Sequence, residues 1–274
     1  MLKNPITGQK VSSDGLRTLA VAGAAVTGAM FVFYAVKSRS REDEGTGGFS
    51  LKDLAQESKE QASEAAHQTP AEVLSSLQRG NARYCMGQMM HYHQENIYYR
   101  RRLLEKQQFP TVAVLGCATS RAPVEIIFDQ GLGDIFVVRV AGNVLGTSAH
   151  ASLQYAINHL KVKVVIIMGH DNCGALKAAQ SDEIAEEFRA TEIGAMLKSI
   201  KADLDIQRLK HINDPKARDR EAVVTQVLAQ VHKLTLDEGV RSKIRAGDLV
   251  VAGAFYELAS GIVDFFGVTD SKTF

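Results

Sequence analysis

VLGCATSRAPVEIIFDQG, residues 114–131, is the stretch on which the fold turns. An apolar run, TVAVLG at 111–116, ends on Cys117; Arg121 follows four residues later and Pro123 stands where a helix can begin. The run is short, unbroken and rich in β-branched residues, the pattern of a strand buried on both faces of a parallel sheet. Proline suits the first turn of a helix, because the N–H it lacks has no partner there anyway. In an open parallel sheet, ligands gather outside the carboxyl ends of the strands. A cysteine and an arginine between such a strand and the next helix therefore stand where chemistry belongs.

The same pattern returns on both sides. DIFVVRVAG (134–142) reads as a strand, SAHASLQYAINHL (148–160) as a helix and VKVVIIMG (162–169) as a third strand. Helical stretches are predicted over about 184–207 and 219–241, followed by strand-like LVVAGAFYEL and IVDFFG. Upstream, AEVLSSLQRGNARYCMGQ and the stretch through Arg102–Lys106 carry apolar residues at helical spacing. Strand and helix in alternation predict an α/β fold, with a parallel-dominated central sheet flanked by helices and joined by right-handed crossovers.

The third strand runs into GHDNCG, so His170 and Cys173 lie at its carboxyl end as Cys117 does on the first. Two thiolates and an imidazole make three zinc ligands with a fourth position open, the arrangement of a catalytic site. A thiolate-rich set favours zinc over magnesium or calcium. A lone buried cysteine is commonly just a small hydrophobe; the shared placement at strand ends makes the three residues a group.

From about Thr69 to Gly267 the chain resembles the β-class carbonic anhydrases of bacterial type. RGNARY, PVEIIFDQGLGDIFVVRVAGN, GHDNCGALKAA and VVAGAFYEL carry the resemblance. The family pattern Cys-x-Asp-Ser-Arg and His-x-x-Cys meets Cys117-Ala118-Thr119-Ser120-Arg121 and His170-Asp171-Asn172-Cys173 here. The resemblance implies reversible hydration of CO₂ to bicarbonate by zinc-bound hydroxide, with Zn²⁺ on Cys117, His170 and Cys173. It also implies that Gln108 binds substrate across a dimer interface, that Arg121 is the arginine of an Asp–Arg dyad, and that the chain forms at least a homodimer.

Thr119 departs from the pattern. The family's aspartate orients the attacking group, and it can also swing onto the zinc and close the site. A threonine carries no charge for Arg121 and is a poor zinc ligand, although its hydroxyl can still donate and accept a hydrogen bond. Two readings follow: a carbonic anhydrase with impaired activity, or an inactive accessory subunit of a membrane complex.

The membrane enters through the first forty residues. Leu19–Val36 contains no charged side chain and spans about 27 Å as a helix, roughly one hydrocarbon core. Ala20, Ala24 and Gly28 form a small-residue stripe along it. Residues 1–41 are thus expected to form an anchor with a helix at about 17–37, a removed targeting segment being the other reading. Residues 42–68 read as a polar linker and 69–274 as the zinc domain. An organellar membrane, mitochondrial inner or plastid, is the expected location.

Bulk properties agree with a globular domain. Of 274 residues, 45% are hydrophobic and 23% charged, and the net charge of +1 argues against nucleic-acid binding. Three cysteines give no disulfide framework. Asp129 and Asp134 are expected to cap or solvate the QGLG turn, and His91 and His93 to be surface residues. Arg100–Arg102 is read as a solvated helical face or subunit contact. Cys85 is placed in a core or interface, and Phe128, Val164 and Ile166 in the core or against the site.

Overall fold

In the computed structural model, which describes residues 51–90, 100–101, 104–105 and 107–273, the continuous apolar runs occupy the middle of a five-stranded sheet. The strands are β1 (Val112–Cys117), β2 (Ile135–Val140), β3 (Val164–His170), β4 (Val250–Tyr256) and β5 (Val263–Thr269), in the order β2-β1-β3-β4-β5. The first four run parallel and β5 runs antiparallel to β4. The exception follows from chain length. A parallel crossover needs a dozen or more residues, whereas Glu257–Ile262 returns directly through bonds between Glu257 N and Ile262 O (2.9 Å) and between Gly261 N and Glu257 O (2.9 Å).

Every residue of β1 and β3 is buried, and alternate side chains enter two different cores. Ala113, Leu115, Cys117, Val165 and Ile167 face one, with Leu153, Val223 and Val227. Val112, Val114, Val164, Ile166 and Met168 face the other, with Leu77, Ile127 and Phe128. Phe128, Val164 and Ile166 are thus core residues and do not line an open cleft.

Local chemistry sets the helix ends. The helices are α1 (Leu51–His67), α2 (Pro70–Met86), α3 (Val124–Ile127), α4 (Thr147–Tyr155), α5 (Gly174–Ala179), α6 (Glu192–Asp203), α7 (Ile206–Lys210), α8 (Pro215–Thr235) and α9 (Glu238–Arg245). Thr69 and Glu72 close a capping box on α2, and Gly87, at φ 66°, ends it. The two long helical stretches expected near 184–207 and 219–241 are each divided. Thr191 caps a helix starting only at Glu192, and Asp205 starts α7. Asp214 caps α8 ahead of Pro215, and Asp237 accepts from Val240 N to begin α9 where continuous helix was expected. In each case a side-chain carboxylate or hydroxyl outcompetes the continuing helical bond.

The segment expected as a linker holds a helix from Leu51 to His67, and its half-buried residues Glu57, Ser58, Gln61, Ala62 and Ala65 recur at helical spacing. Residues Ala55–Phe274 make one compact unit. The predicted span at 17–37, its small-residue stripe, His91 and His93 lie outside the described residues. Among the described residues no helix is long and apolar enough to cross a membrane.

RGNARY works as a clasp between α2 and the sheet. Asn81 donates to Ile127 O (3.2 Å) and Gly261 O (2.8 Å) and accepts from Val263 N (2.9 Å). Arg83 reaches Asp129 at 2.6 Å, and Asp129 also accepts from Met90 N. Asp129 is therefore a buried ion-pair partner and not a solvated loop residue. Asp134 does cap the turn, through Gly131 N (2.8 Å), and also pairs with Arg100. Arg100, expected on a solvated face or at a subunit contact, is buried within its own chain against Asp134, while Arg101 is exposed.

Gly80 lets α2 approach this closely. A methyl group there would lie 1.8 Å from the Phe128 carbonyl oxygen, a backbone atom that cannot turn aside. Gly80→Ala is expected to cost about 3 kcal/mol, the upper end for overpacking, read as a lowered midpoint in urea unfolding.

Candidate metal centre

Parallel pairing of β1 and β3 puts their carboxyl ends side by side, with Gly116 opposite Met168. Cys117 ends β1 and His170 ends β3; Cys173 follows at the cap of α5. All three are buried, and their ligand atoms lie within 4.8 Å of one another. The two sulfurs are 3.8 Å apart. Sulfurs each about 2.3 Å from one tetrahedral zinc would stand at about that separation, so the residues fit the ion.

The imidazole is already oriented for a metal. His170 Nδ1 lies 2.6 Å from the Asp171 carbonyl. A carbonyl only accepts, so Nδ1 carries the proton and Nε2 turns its lone pair toward the sulfurs. Asp171 is held in turn by Tyr256 O, which accepts its N–H, and by Leu258 N, which donates to its carboxylate at 2.8 Å. Asn172, at φ 54°, gives its N–H to Asp219 Oδ2 at 2.8 Å.

Backbone donors surround the sulfurs. Cys117 Sγ accepts from Gly142 N (3.3 Å) and Thr119 N (3.4 Å), and the amides of Ala175 and Leu176 at the start of α5 favour the thiolate form of Cys173. The Cys173 thiol's hydrogen bond holds Cys117 far below the usual thiol range against burial, with Thr119 adding to it. Giving that bond, together with burial, pushes Cys173 up. A divalent cation would replace the proton retained by the pair.

Arg139 straps the loop after β1. Its guanidinium reaches the carbonyls of Cys117 (3.2 Å), Ala118 (3.2 Å) and Ala122 (3.4 Å), and Ser120 Oγ at 2.8 Å. The strap keeps Ser120 inside and turns Thr119 and Arg121 outward, with Arg121 at φ 63°. Thr119 Oγ1 lies 3.3 Å from Cys117 Sγ and 3.2 Å from His170 Nε2, on the exposed side of the cluster. Arg121 bonds to the backbone carbonyl of Thr119.

Five of the six site residues expected from sequence thus lie together: Cys117, Thr119, Arg121, His170 and Cys173. Gln108 does not. It lines a groove with Pro110, Tyr155 and Lys161 at the amino end of β1. The length of β1, about 17 Å at 3.3 Å per residue, separates it from Cys117. Sequence reasoning missed the Gly142 amide and the Asp171 carbonyl, since backbone groups leave no residue-type signal. It also passed over Arg139 and Asp219, whose partners are far away along the chain.

Residues 112–263 match the family described as carbonic anhydrase. A carbonic anhydrase of Mycolicibacterium smegmatis is 34% identical over 198 residues, covering 71% of this chain and 92% of that one. Carbonic anhydrase 2 of Mycobacterium tuberculosis is 31% identical over 195 residues, 70% of this chain and 90% of that one. Among solved structures, a tetrameric β-carbonic anhydrase from Sordaria macrospora superposes with a TM-score of 0.57 at 28% identity, covering 64% of this chain and 88% of that one.

The donor set makes metal content the direct test. Protein as purified is expected to carry one zinc per chain by elemental analysis, and Cys173→Ser is expected to carry almost none while keeping its far-ultraviolet circular dichroism.

Proposed function

The chain belongs to the β-carbonic anhydrase family, and from that premise we propose that it catalyses the reversible hydration of CO₂ to bicarbonate. The observation that carries the reading is the buried Cys117–His170–Cys173 cluster, with the Thr119 hydroxyl beside Cys117 and His170. These three residues would hold zinc, which when bound supplies the Lewis acidity that makes water a nucleophile near neutral pH.

The rest of the work falls to residues of this chain. Asp171 fixes the His170 tautomer through its carbonyl. The amides around the two sulfurs draw charge from the thiolates, which would otherwise cancel the charge of the ion. Thr119 offers a hydroxyl that can accept a hydrogen bond from the attacking water and so orient it. It cannot hold a proton as a carboxylate does. Arg121, anchored to the Thr119 carbonyl, adds positive charge at the mouth, favourable to bicarbonate. Gln108 is distant from the cluster of its own chain, so its proposed contact with substrate is made in a second copy, in a homodimer or larger assembly. The tetrameric Sordaria relative supports an assembly of this kind.

Loss of a positioned acid–base or orienting group costs on the order of 10²–10⁴ in rate. Zinc sites of this chemistry reach about 10⁶ s⁻¹, so an enzyme slowed that far still turns over. Thr119 also favours a second reading: a zinc-loaded, catalytically silent subunit of a membrane complex. Under either reading the uncharged run Leu19–Val36 supports attachment to an organellar membrane, with the zinc domain in an aqueous compartment.

Stopped-flow CO₂ hydration separates the two. The purified zinc-loaded protein is expected to exceed the buffer rate, Cys173→Ser to abolish that excess, and Thr119→Asp to raise it on the order of 10²–10⁴. Activity in Thr119→Asp alone would overturn hydration by the wild type and favour the silent-subunit reading. Silence in both zinc-loaded proteins would end the hydration reading.

A further inference from the structure

The loop that donates to Cys117 is held from behind by two glutamines, Gln226 and Gln230. After β2 the chain makes a single 3-10 turn, Ala141–Asn143, and continues to Gly146 before α4. Gly142, at φ 63°, aims its N–H at Cys117 Sγ (3.3 Å). Its carbonyl accepts from Gln226 Nε2 at 3.4 Å, so both ends of this residue's polar backbone are engaged. Three residues on, Leu145 N donates to Gln230 Oε1 at 2.9 Å.

Gln226 and Gln230 stand one turn apart on α8 and are fully buried. Gln230 is itself held: its Nε2 donates to Asp203 Oδ2 (2.8 Å), which Lys233 also reaches at 2.6 Å. Their neighbours on the same helix face, Val223, Val227 and Leu234, are ordinary core residues. Packing alone does not explain primary amides at these two places. Gln226 Oε1 and Asn143 Nδ2 are buried with no hydrogen-bond partner among the described residues, and an apolar side chain of the same length would avoid that desolvation cost at Gln226.

We propose that Gln226 and Gln230 are positioning residues for the metal centre: from α8 they set the Ala141–Gly146 loop so that the Gly142 amide points at the Cys117 sulfur. Neither touches a ligand; both act through the loop. The hydrogen bond they hold in place draws electron density from the thiolate and keeps its lone pair aligned. Strand pairing places the ligands and this helix tunes one of them. The proposal rests on the metal reading of the cluster, and the test separates the two.

The test uses cobalt(II) in place of zinc, because a thiolate bound to cobalt gives a near-ultraviolet charge-transfer band that reports electron density on sulfur. Wild-type protein is expected to show the band; its absence would overturn the metal reading and this proposal with it. Gln226→Met, nearly equal in length, is expected to move the band to lower energy and to weaken zinc 10–100-fold in chelator competition, the usual size for a lost outer partner. Gln230→Met is expected to change both in the same direction, and it carries the test if Gln226→Met does not fold. Leu234→Ala, two turns further along α8, is expected to lower the melting temperature with the band unmoved. A band present in wild type and unshifted in the glutamine variants, or shifted equally by Leu234→Ala, would overturn the proposal while leaving the metal site intact.

Discussion

The structure depends on one constraint: two sulfurs and an imidazole must converge, out of water, at the ends of two neighbouring parallel strands. Such a cluster is costly to bury without a cation, because like-charged thiolates repel and lose their hydration. The cost is met by geometry. β1 and β3 are paired so that Cys117 and His170 finish together, and α5 begins directly after Cys173. One retained proton between the sulfurs relieves what remains. Around this core of donors, the rest of the sheet and its helices act as a rigid frame.

The frame is asymmetric in a useful way. The ligands themselves are locked by strand register and by backbone bonds to Asp171 and Gly142. The residues facing outward, Thr119 and Arg121, sit on a loop strapped by Arg139 and are exposed. The buried ligands and the exposed residues beside them are therefore held by different parts of the fold. Thr119 is the link between the two parts, since its hydroxyl stands 3.3 Å from Cys117 Sγ and 3.2 Å from His170 Nε2.

Burial explains several differences between expectation and structure. Asp129 and Arg100 read as surface residues, because charged side chains usually are. Each is drawn inside by a partner far away in sequence, Arg83 and Asp134 respectively, and a single chain gives no signal for such pairs. Helix breaks at Leu204 and Leu236 went unread for another reason. Asp205 and Asp237 can lie within a helix or cap a new one, and local pattern does not say which.

The sequence by itself determined the α/β class, the parallel character of the central strands, and the ligands Cys117, His170 and Cys173. All of these rest on short-range patterns: an unbroken apolar run means burial on both faces, and a strand's carboxyl end is marked by the residue that follows it. Only tertiary structure decided that Gln108 lies at the opposite end of β1 from the cluster. It also decided that Thr119 Oγ1 faces both Cys117 and His170, and that α8 reaches the loop behind Cys117. Those relations depend on which strands pair and on how a helix crosses the sheet. Such choices are made by the packing of residues many tens of positions apart, and no local spacing encodes them.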